Sequence, residues 1–110
     1  EDFARIGVLL HNKGRYGKQE FFSEKTYESI LPTSLKPYFP KISTVYGIGF
    51  KNAAGRLGPG TYGHGGGCGT QIIVNPGKRL VFAMVRDAPG EEYKARMADI
   101  MAHLRSWIGE

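Results

Sequence analysis

A glycine-rich segment with one histidine and one cysteine is the part of this sequence best suited to chemistry. It runs Gly63-His-Gly-Gly-Gly-Cys-Gly-Thr70 and leads directly into the apolar run Gln71–Asn75. Glycine loses more conformational entropy on folding than any other residue, so five glycines around one histidine indicate a tight turn, a packing site or a ligand close to the backbone. His64 and the glycines that follow it are therefore the first candidates for a functional site.

The sequence around these glycines excludes two common phosphate-binding motifs and argues against a metal centre. No Gly-Lys-Ser or Gly-Lys-Thr occurs, and the glycines precede an expected strand, whereas a dinucleotide-binding loop precedes a helix. His11, His64 and His103 are isolated from other ligand-type residues, and the single cysteine, Cys68, allows neither a disulfide nor a cysteine-based metal site. We expect no metal and no cofactor, surface positions for His11 and His103, and a small structural role for Cys68 at the start of a strand.

Length and composition describe one globular domain. The chain has 110 residues, of which 41% are hydrophobic and 23% charged, enough for one modest core. No apolar run approaches the roughly 18 to 20 residues that a membrane-spanning helix requires. The net charge of +5 would attract polyanions weakly, but the basic residues are scattered and form no cluster, so we expect no nucleic-acid binding.

Helical spacing of apolar residues predicts three helices. The first covers Asp2 to Asn12, with Asp2 as N-cap and Gly14 ending it; the second begins at the N-cap Ser23 and ends before Pro32. Residues 32–43 contain three prolines and are predicted to be irregular. A closing helix follows Gly90, with its apolar residues, including Met97, Met101 and the neighbouring Trp107, assigned to the core.

The remaining apolar runs predict an antiparallel sheet. Val45–Phe50 alternates large residues with glycine, which indicates a strand whose glycine face lies against another backbone. Cys68–Asn75 and Arg79–Asp87 are rich in β-forming residues and are separated by a Pro-Gly turn, so they are predicted to form a hairpin. The fold class is therefore α+β: an antiparallel sheet packed with N-terminal helices and a C-terminal helix.

The order of these segments resembles the C-terminal part of the serine β-lactamase-like hydrolases. That family includes class C β-lactamases, D-Ala-D-Ala carboxypeptidases, D-aminopeptidases and related esterases. The resemblance spans nearly all of the chain and is specific in its order rather than in any single motif. Its segments are Asp2–Leu10 with Asn12-Lys-Gly14, Tyr46–Phe50, Gly63–Thr70, Val74-Asn-Pro76 and Leu80–Val85.

The resemblance implies roles for four residues. His64-Gly65-Gly66 matches the His-x-Gly form of the family's third motif, which lies on an edge strand beside the active site. His64 would face the substrate carboxylate or the proton-transfer network, and Gly66 would let the acyl group lie against the strand. The amide of Gly67 would be one oxyanion donor. Substrate contact is therefore expected from His64, Gly65, Gly66 and Gly67, with catalytic roles for His64 and Gly67, no cofactor, and a periplasmic or secreted location; the alternative is a glycine-rich turn with an exposed histidine.

The family's nucleophile motif Ser-x-x-Lys and its second motif Tyr-x-Asn are both absent from this sequence. In the family both motifs precede this region, so residues 1–110 are interpreted as a single partial domain that is inactive alone. The strand Arg79–Asp87 would then have a bare edge, and we expect it to associate with an N-terminal catalytic segment or a second copy of the chain. The partners implied are an acyl substrate (a β-lactam, peptide or ester) and one of these segments. A non-catalytic binding or self-association module of the same fold remains the alternative.

Overall fold

The computed structural model describes residues 1–109, and it confirms the α+β class. The helices are α1 (Asp2–His11), α2 (Glu24–Ile30), α3 (Ala54–Leu57) and α4 (Tyr93–Trp107). Two short strands, β1 (Arg15–Tyr16) and β2 (Gln19–Glu20), form a separate hairpin. The main sheet comprises β3 (Thr33–Ser34), β4 (Val45–Tyr46), β5 (Lys51–Asn52), β6 (Tyr62–Gly65), β7 (Gln71–Asn75) and β8 (Leu80–Met84).

The main sheet is antiparallel throughout, and its strands follow one another in chain order from β3 to β8. The longest ladder joins β7 to β8, from Gln71 opposite Met84 to Asn75 opposite Leu80. The predicted hairpin is therefore confirmed. Its turn is closed by the amide of Arg79, which donates to the carbonyl of Pro76 at 3.1 Å.

All five residues of β7 are buried, and the sheet has a core on each face. Ile72 and Val74 pack with Leu10 of α1 and Tyr27 of α2, whereas Ile73 packs with side chains of α3 and α4. Successive residues of a strand point to opposite faces, so β7 supplies both cores. The closing helix covers one face as predicted, while α1 and α2 cover the other, giving two cores rather than one.

Two local signals set the ends of the N-terminal helices. The hydroxyl of Ser23 accepts a hydrogen bond from the amide of Thr26 at 3.2 Å, which confirms Ser23 as the N-cap of α2. Helix α1 ends where the chain turns into the left-handed region at Lys13 (φ 55°) and Gly14 (φ 99°). At its other end the prediction is wrong by one residue, because Glu1 is the N-cap and Asp2 is already helical.

The strand predicted at Val45–Phe50 is confirmed only for Val45–Tyr46, which form β4, and is wrong for the other residues. Tyr46 pairs with Lys51, so the intervening residues Gly47 to Phe50 form the turn between β4 and β5. Gly49 has a φ of 79°, which is incompatible with a strand. The predicted close approach does occur at Gly47, where a Cβ would lie 2.1 Å from the carbonyl oxygen of Ile30.

Other boundaries also differ from the sequence prediction. Strand β7 begins at Gln71, so Cys68 lies in the preceding loop, and β8 ends at Met84. The segment predicted to be irregular contains the short strand β3. Met97 and Met101 are buried as predicted, but Trp107 is 79% exposed and does not belong to the core. No helix in the described residues is long and apolar enough to cross a membrane.

A pair of tyrosines joins α2 to β6 inside the first core. Tyr27 and Tyr62 are 4% and 3% exposed, and their hydroxyl oxygens lie 3.1 Å apart. The hydroxyl of Tyr62 is also 3.4 Å from the carbonyl oxygen of Leu10. Burial raises the pKa of the Tyr62 hydroxyl above its usual range, and the hydrogen bond with Tyr27 adds to the shift.

We predict that Tyr62 makes the protein lose stability at high pH. The unfolded chain releases this proton from about pH 10, whereas the folded protein retains it, so the unfolding free energy should fall above pH 10 by about 1.4 kcal/mol per pH unit. Tyr62→Phe should remove this slope and lower stability at pH 7 by about 1 kcal/mol through the lost hydrogen bond.

Urea unfolding between pH 7 and pH 11 measures both effects. Tyr38→Phe is the matched control because Tyr38 is 78% exposed. If the unfolding free energy of Tyr62→Phe falls above pH 10 as steeply as that of the unsubstituted protein, the Tyr62 hydroxyl is not the group that causes the loss of stability.

Candidate functional site

Strand β6 is an interior strand of the main sheet and not the edge strand that the resemblance implies, but it extends beyond its neighbour β5, so its last residues have one free edge. The two strands are paired only at Tyr62 with Asn52 and at Gly63 with Lys51. On its other side, β6 stays paired with β7 as far as Gly65 opposite Gln71. Among the described residues, the chain from His64 onward therefore has a strand on one side only.

The backbone amides of the glycine-rich segment alternate between the sheet and this free edge. The amide of Gly66 donates to the carbonyl of Thr70 at 2.8 Å, which continues the ladder with β7. In an antiparallel pair successive residues point their polar groups to opposite sides, so the amide of Gly65 faces the edge. The amide of Gly67 meets no acceptor within residues 1–109. The amide of Gly69 donates to the carbonyl of Gly66 at 3.1 Å, so Gly66–Gly69 form a turn between β6 and β7, as the alternative interpretation of this segment predicted, and the amide of Gly67 lies outside the ladder.

Two of the five glycines are required by the fold itself. A Cβ at Gly63 would lie 2.1 Å from the carbonyl oxygen of Ile72, closer than any side chain tolerates. At Gly69 the φ is 87°, and a Cβ would come within 2.9 Å of the Tyr93 ring. These positions are glycine for reasons of packing and backbone conformation.

The other three glycines have no such internal requirement. A Cβ at Gly65 would make ordinary contacts of 3.4 Å or more, one at Gly66 would lie 3.8 Å from the Cys68 sulfur, and one at Gly67 would meet nothing within 4 Å. None of the three has a φ in the left-handed region. The fold would accept alanine at all three positions, so close packing and backbone strain do not explain these glycines.

His64 is exposed at the start of this open stretch. Its ring lies edge-to-face with the ring of Tyr46, with centroids 6.5 Å apart and planes at 85°. No described residue forms a hydrogen bond with the imidazole, so both of its nitrogens remain available. Tyr46 fixes one side of the ring, a contact that sequence spacing alone did not indicate.

A cleft of about 420 Å³ lies beside β6. Of the four residues predicted to contact substrate, His64, Gly65 and Gly66 line it, whereas Gly67 does not. The structure thus places three of the predicted residues on one concave surface and leaves Gly67 at its end. Its other lining residues come from β5, α3, β6, β7, α4 and the residues next to them: Lys51, Asn52, Ala53, Gly55, Arg56, Gly63, Thr70, Gln71, Ile72, Ile73 and Tyr93.

Gln71 organises the polar part of the cleft. Its side chain is 5% exposed, and its Oε1 accepts a hydrogen bond from Arg56 Nη1 at 2.5 Å. Its Nε2 donates to the hydroxyl of Tyr93, also at 2.5 Å. The sequence prediction missed Arg56 and Tyr93, although a glutamine next to the apolar run Ile72–Val74 was a signal for a buried polar contact.

Cys68 belongs to a separate network at the base of the loop. The hydroxyl of Thr70 lies 3.3 Å from the Cys68 sulfur and bonds both the amide and the carbonyl of Arg86, at 3.0 and 3.2 Å. The hydrogen bond with Thr70 lowers the pKa of the Cys68 thiol below its usual value. These contacts fasten the glycine-rich loop to the end of β8.

The other two histidines, His11 and His103, differ in their exposure to solvent. His103 is exposed, as predicted, while His11 is half-buried and its Nε2 has no hydrogen-bond partner among the described residues, so the surface prediction is wrong for His11. Within residues 1–109 no group of three or more His, Cys, Asp or Glu side chains could hold a metal ion.

We predict that alanine substitutions will separate the two kinds of glycine. Gly63→Ala should lower the unfolding free energy by about 2 kcal/mol or more, because the new Cβ meets a strand carbonyl that cannot move freely. Gly65→Ala, Gly66→Ala and Gly67→Ala should change it by no more than about 1 kcal/mol, because the new methyl groups meet no close neighbour and make the unfolded chain less flexible.

Urea unfolding of the four variants provides this measurement. A loss of stability in Gly67→Ala as large as that in Gly63→Ala would mean that the fold itself requires glycine at position 67. No ligand would then be needed to explain why this residue is glycine.

No protein-family model matches the chain, and no curated protein matches it in sequence. The glycine-rich segment, the free edge of β6 and the cleft beside it are the features of the chain that bear on function.

Proposed function

We propose that this chain forms one wall of the active site of a β-lactamase-like serine hydrolase, which cleaves amide or ester bonds through an acyl-enzyme. The observation that carries the proposal is that Gly65, Gly66 and Gly67 are glycine without any requirement from packing or backbone conformation. An acyl substrate lying along the free edge of β6 supplies the missing reason, because any side chain there would occupy its place.

The unused amide of Gly67 supports this role. In acyl transfer, negative charge develops on the carbonyl oxygen of the substrate, and preorganised N–H donors stabilise it. The amide of Gly67 has no internal acceptor among the described residues and is available as one such donor. His64 stands at the other end of the same stretch, where it can contact a substrate carboxylate or take part in proton transfer.

The nucleophile must come from outside these 110 residues. None of the five serines has a lysine three residues later, and no tyrosine is followed two residues on by asparagine. The chain would therefore act together with a segment that carries Ser-x-x-Lys, and its own contribution would be positioning and charge stabilisation. Bond cleavage would begin with attack by that segment's serine on the substrate carbonyl.

Labelling with a fluorophosphonate or a β-lactam tests the proposal. The isolated chain should remain unlabelled, because it lacks the serine nucleophile. Mixing it with the catalytic part of a β-lactamase-like hydrolase, from which the corresponding C-terminal part has been removed, should restore labelling of the added serine. Labelling of the isolated chain would contradict the account.

A pair of valine variants controls this experiment. Gly66→Val should abolish the restored labelling, because its side chain would project where the acyl group lies. Gly77→Val, in the turn between β7 and β8, should leave labelling intact. Equal labelling with both variants would mean that the glycine-rich segment forms no part of the acyl site.

A non-catalytic binding or self-association module is the second candidate, and the outer edge of β8 favours it. Among the described residues β8 pairs only with β7, which leaves one row of its backbone groups unpaired. Unpaired edges of apolar strands readily recruit a further strand. Light scattering distinguishes the cases: a dimer without restored labelling favours this candidate, and a clean monomer counts against it.

A further inference from the structure

The loop between β3 and β4, residues 35–44, exposes a group of large apolar side chains. Tyr38, Phe39 and Ile42 are 78%, 55% and 40% exposed. Single apolar residues are common on protein surfaces, whereas several large ones close together mark an interaction site. We call residues 35–44 the aromatic loop.

The aromatic loop holds its own shape. The amides of Tyr38 and Phe39 both donate to the carbonyl of Leu35, at 3.0 and 2.9 Å. At the base of the loop the amide of Leu35 donates to the carbonyl of Thr44 at 3.1 Å. One proline directly precedes the aromatic pair and another directly follows it, and each restricts the backbone. The two rings are therefore presented in a fixed arrangement, and little conformational entropy is lost when they bind.

Lysines lie on both sides of the exposed aromatic pair. Lys36 and Lys41 are exposed, and no carboxylate within residues 1–109 forms an ion pair with either of them. The sequence has no aspartate or glutamate from Ser29 to Arg86, so no acidic neighbour along the chain offsets these charges. The aromatic loop thus combines an apolar tip with unpaired positive charge.

Two other aromatic side chains are strongly exposed, and each has a carboxylate nearby. Trp107 is 79% exposed, and the hollow beside it is lined by Asp99. Phe21 is 58% exposed and directly follows Glu20. The acidic side chains at these two places weaken the attraction to a negatively charged partner, whereas the lysines of the aromatic loop strengthen it.

A lipid surface fits the shape and the residue types of the aromatic loop. The loop projects from two strands of only two residues each, so its exposed side chains form a narrow tip and not a broad face. A lipid interface yields around such a tip, whereas a protein partner needs a matching cavity. Aromatic side chains favour the headgroup region of a bilayer, and lysines are attracted to anionic headgroups.

We infer that the aromatic loop docks this chain on an anionic lipid surface, with Tyr38 and Phe39 in the headgroup region and Lys36 and Lys41 beside the lipid charges. This binding goes beyond the proposed function, because it uses no residue of the cleft beside β6 and needs neither a nucleophile nor a second segment. It can be measured with this chain alone, and its failure would leave the acyl-transfer proposal standing.

Cosedimentation with phospholipid vesicles tests the inference. The partition coefficient onto phosphatidylcholine vesicles that contain about one third phosphatidylserine should exceed that onto pure phosphatidylcholine by about tenfold or more, because each lysine near an anionic surface contributes about fivefold. It should fall as the salt concentration is raised, since salt screens this attraction.

Aromatic variants locate the apolar contact. The double variant Tyr38→Ser, Phe39→Ser should lower the partition coefficient onto the anionic vesicles by about tenfold, because both rings leave the interface. Trp107→Ser is the matched control: it removes an aromatic side chain that is exposed to the same extent as Tyr38 and should change the coefficient by less than about twofold.

Lysine variants separate local charge from net charge. Lys36→Gln with Lys41→Gln should lower the partition coefficient by about tenfold. Lys18→Gln with Lys25→Gln removes the same net charge from exposed positions outside the aromatic loop and should lower it by no more than about twofold. All of these side chains are exposed, so the variants should fold like the unsubstituted chain.

A tryptophan in the aromatic loop reports insertion. Tyr38→Trp combined with Trp107→Phe leaves one tryptophan in the chain, at position 38. Its emission should move to shorter wavelength on the anionic vesicles and should be quenched by lipids that are brominated near the headgroup.

Four results would overturn the inference. The first is equal binding to vesicles with and without phosphatidylserine, including no binding to either. The second is equal effects of the two lysine pairs. The third is a loss of binding in Trp107→Ser as large as that in the Tyr38→Ser, Phe39→Ser variant. The fourth is binding without a change in the emission of the tryptophan at position 38, which would mean that the loop stays in water.

Discussion

Burial of β7 on both of its faces governs where the helices of this protein lie. Ile72 and Val74 need apolar cover on one side and Ile73 needs it on the other, so α1 and α2 must occupy one face and α3 and α4 the opposite one. At about 25 cal/mol per Å² of apolar surface removed from water, each buried Ile or Val side chain of β7 contributes roughly 2 kcal/mol. Strand β7 is thus the buried strand with which β6 pairs, and it sets the position of β6 in the sheet.

The free edge of β6 follows from this arrangement. β7 holds β6 as far as Gly65, but β5 has only two paired residues and ends opposite Gly63. The chain therefore continues as a strand with one neighbour, on a sheet that its two cores keep rigid. A rigid, one-sided backbone with outward-facing amides is well suited to bind an extended ligand, because no folding entropy has to be lost when the ligand arrives.

How far the sequence predicts this structure depends on how local the determining contacts are. The Ser23 cap, the Gly14 helix end and the β7–β8 hairpin were predicted correctly, since each is encoded within a few neighbouring residues. The β4–β5 turn was missed, because alternating glycines occur in both strands and hairpin loops and only the distant carbonyl of Ile30 distinguishes them. Trp107 was assigned to the core on spacing alone, yet it is exposed because no element within residues 1–109 covers its ring.

The candidate site also contains residues that one local motif identifies and residues that only long-range contacts bring together. His64, Gly65, Gly66 and Gly67 were singled out from one contiguous motif, and three of the four line a cleft. Arg56 and Tyr93 could not be found from the sequence, because they reach Gln71 from elements 15 and 22 residues away. Sequence reasoning therefore identified the backbone wall of the site and missed the side chains that give the cleft its charge.

Hydrogen exchange of the glycine amides tests the central claim most directly, because it reports which amides the fold uses. The account predicts that the amide of Gly66, bonded to Thr70, is protected like the neighbouring sheet, while those of Gly65 and Gly67 exchange at nearly the rate of an unfolded chain. Strong protection at Gly67 in the free monomer would contradict the account, because that amide would then be committed to an internal bond and unavailable to a substrate.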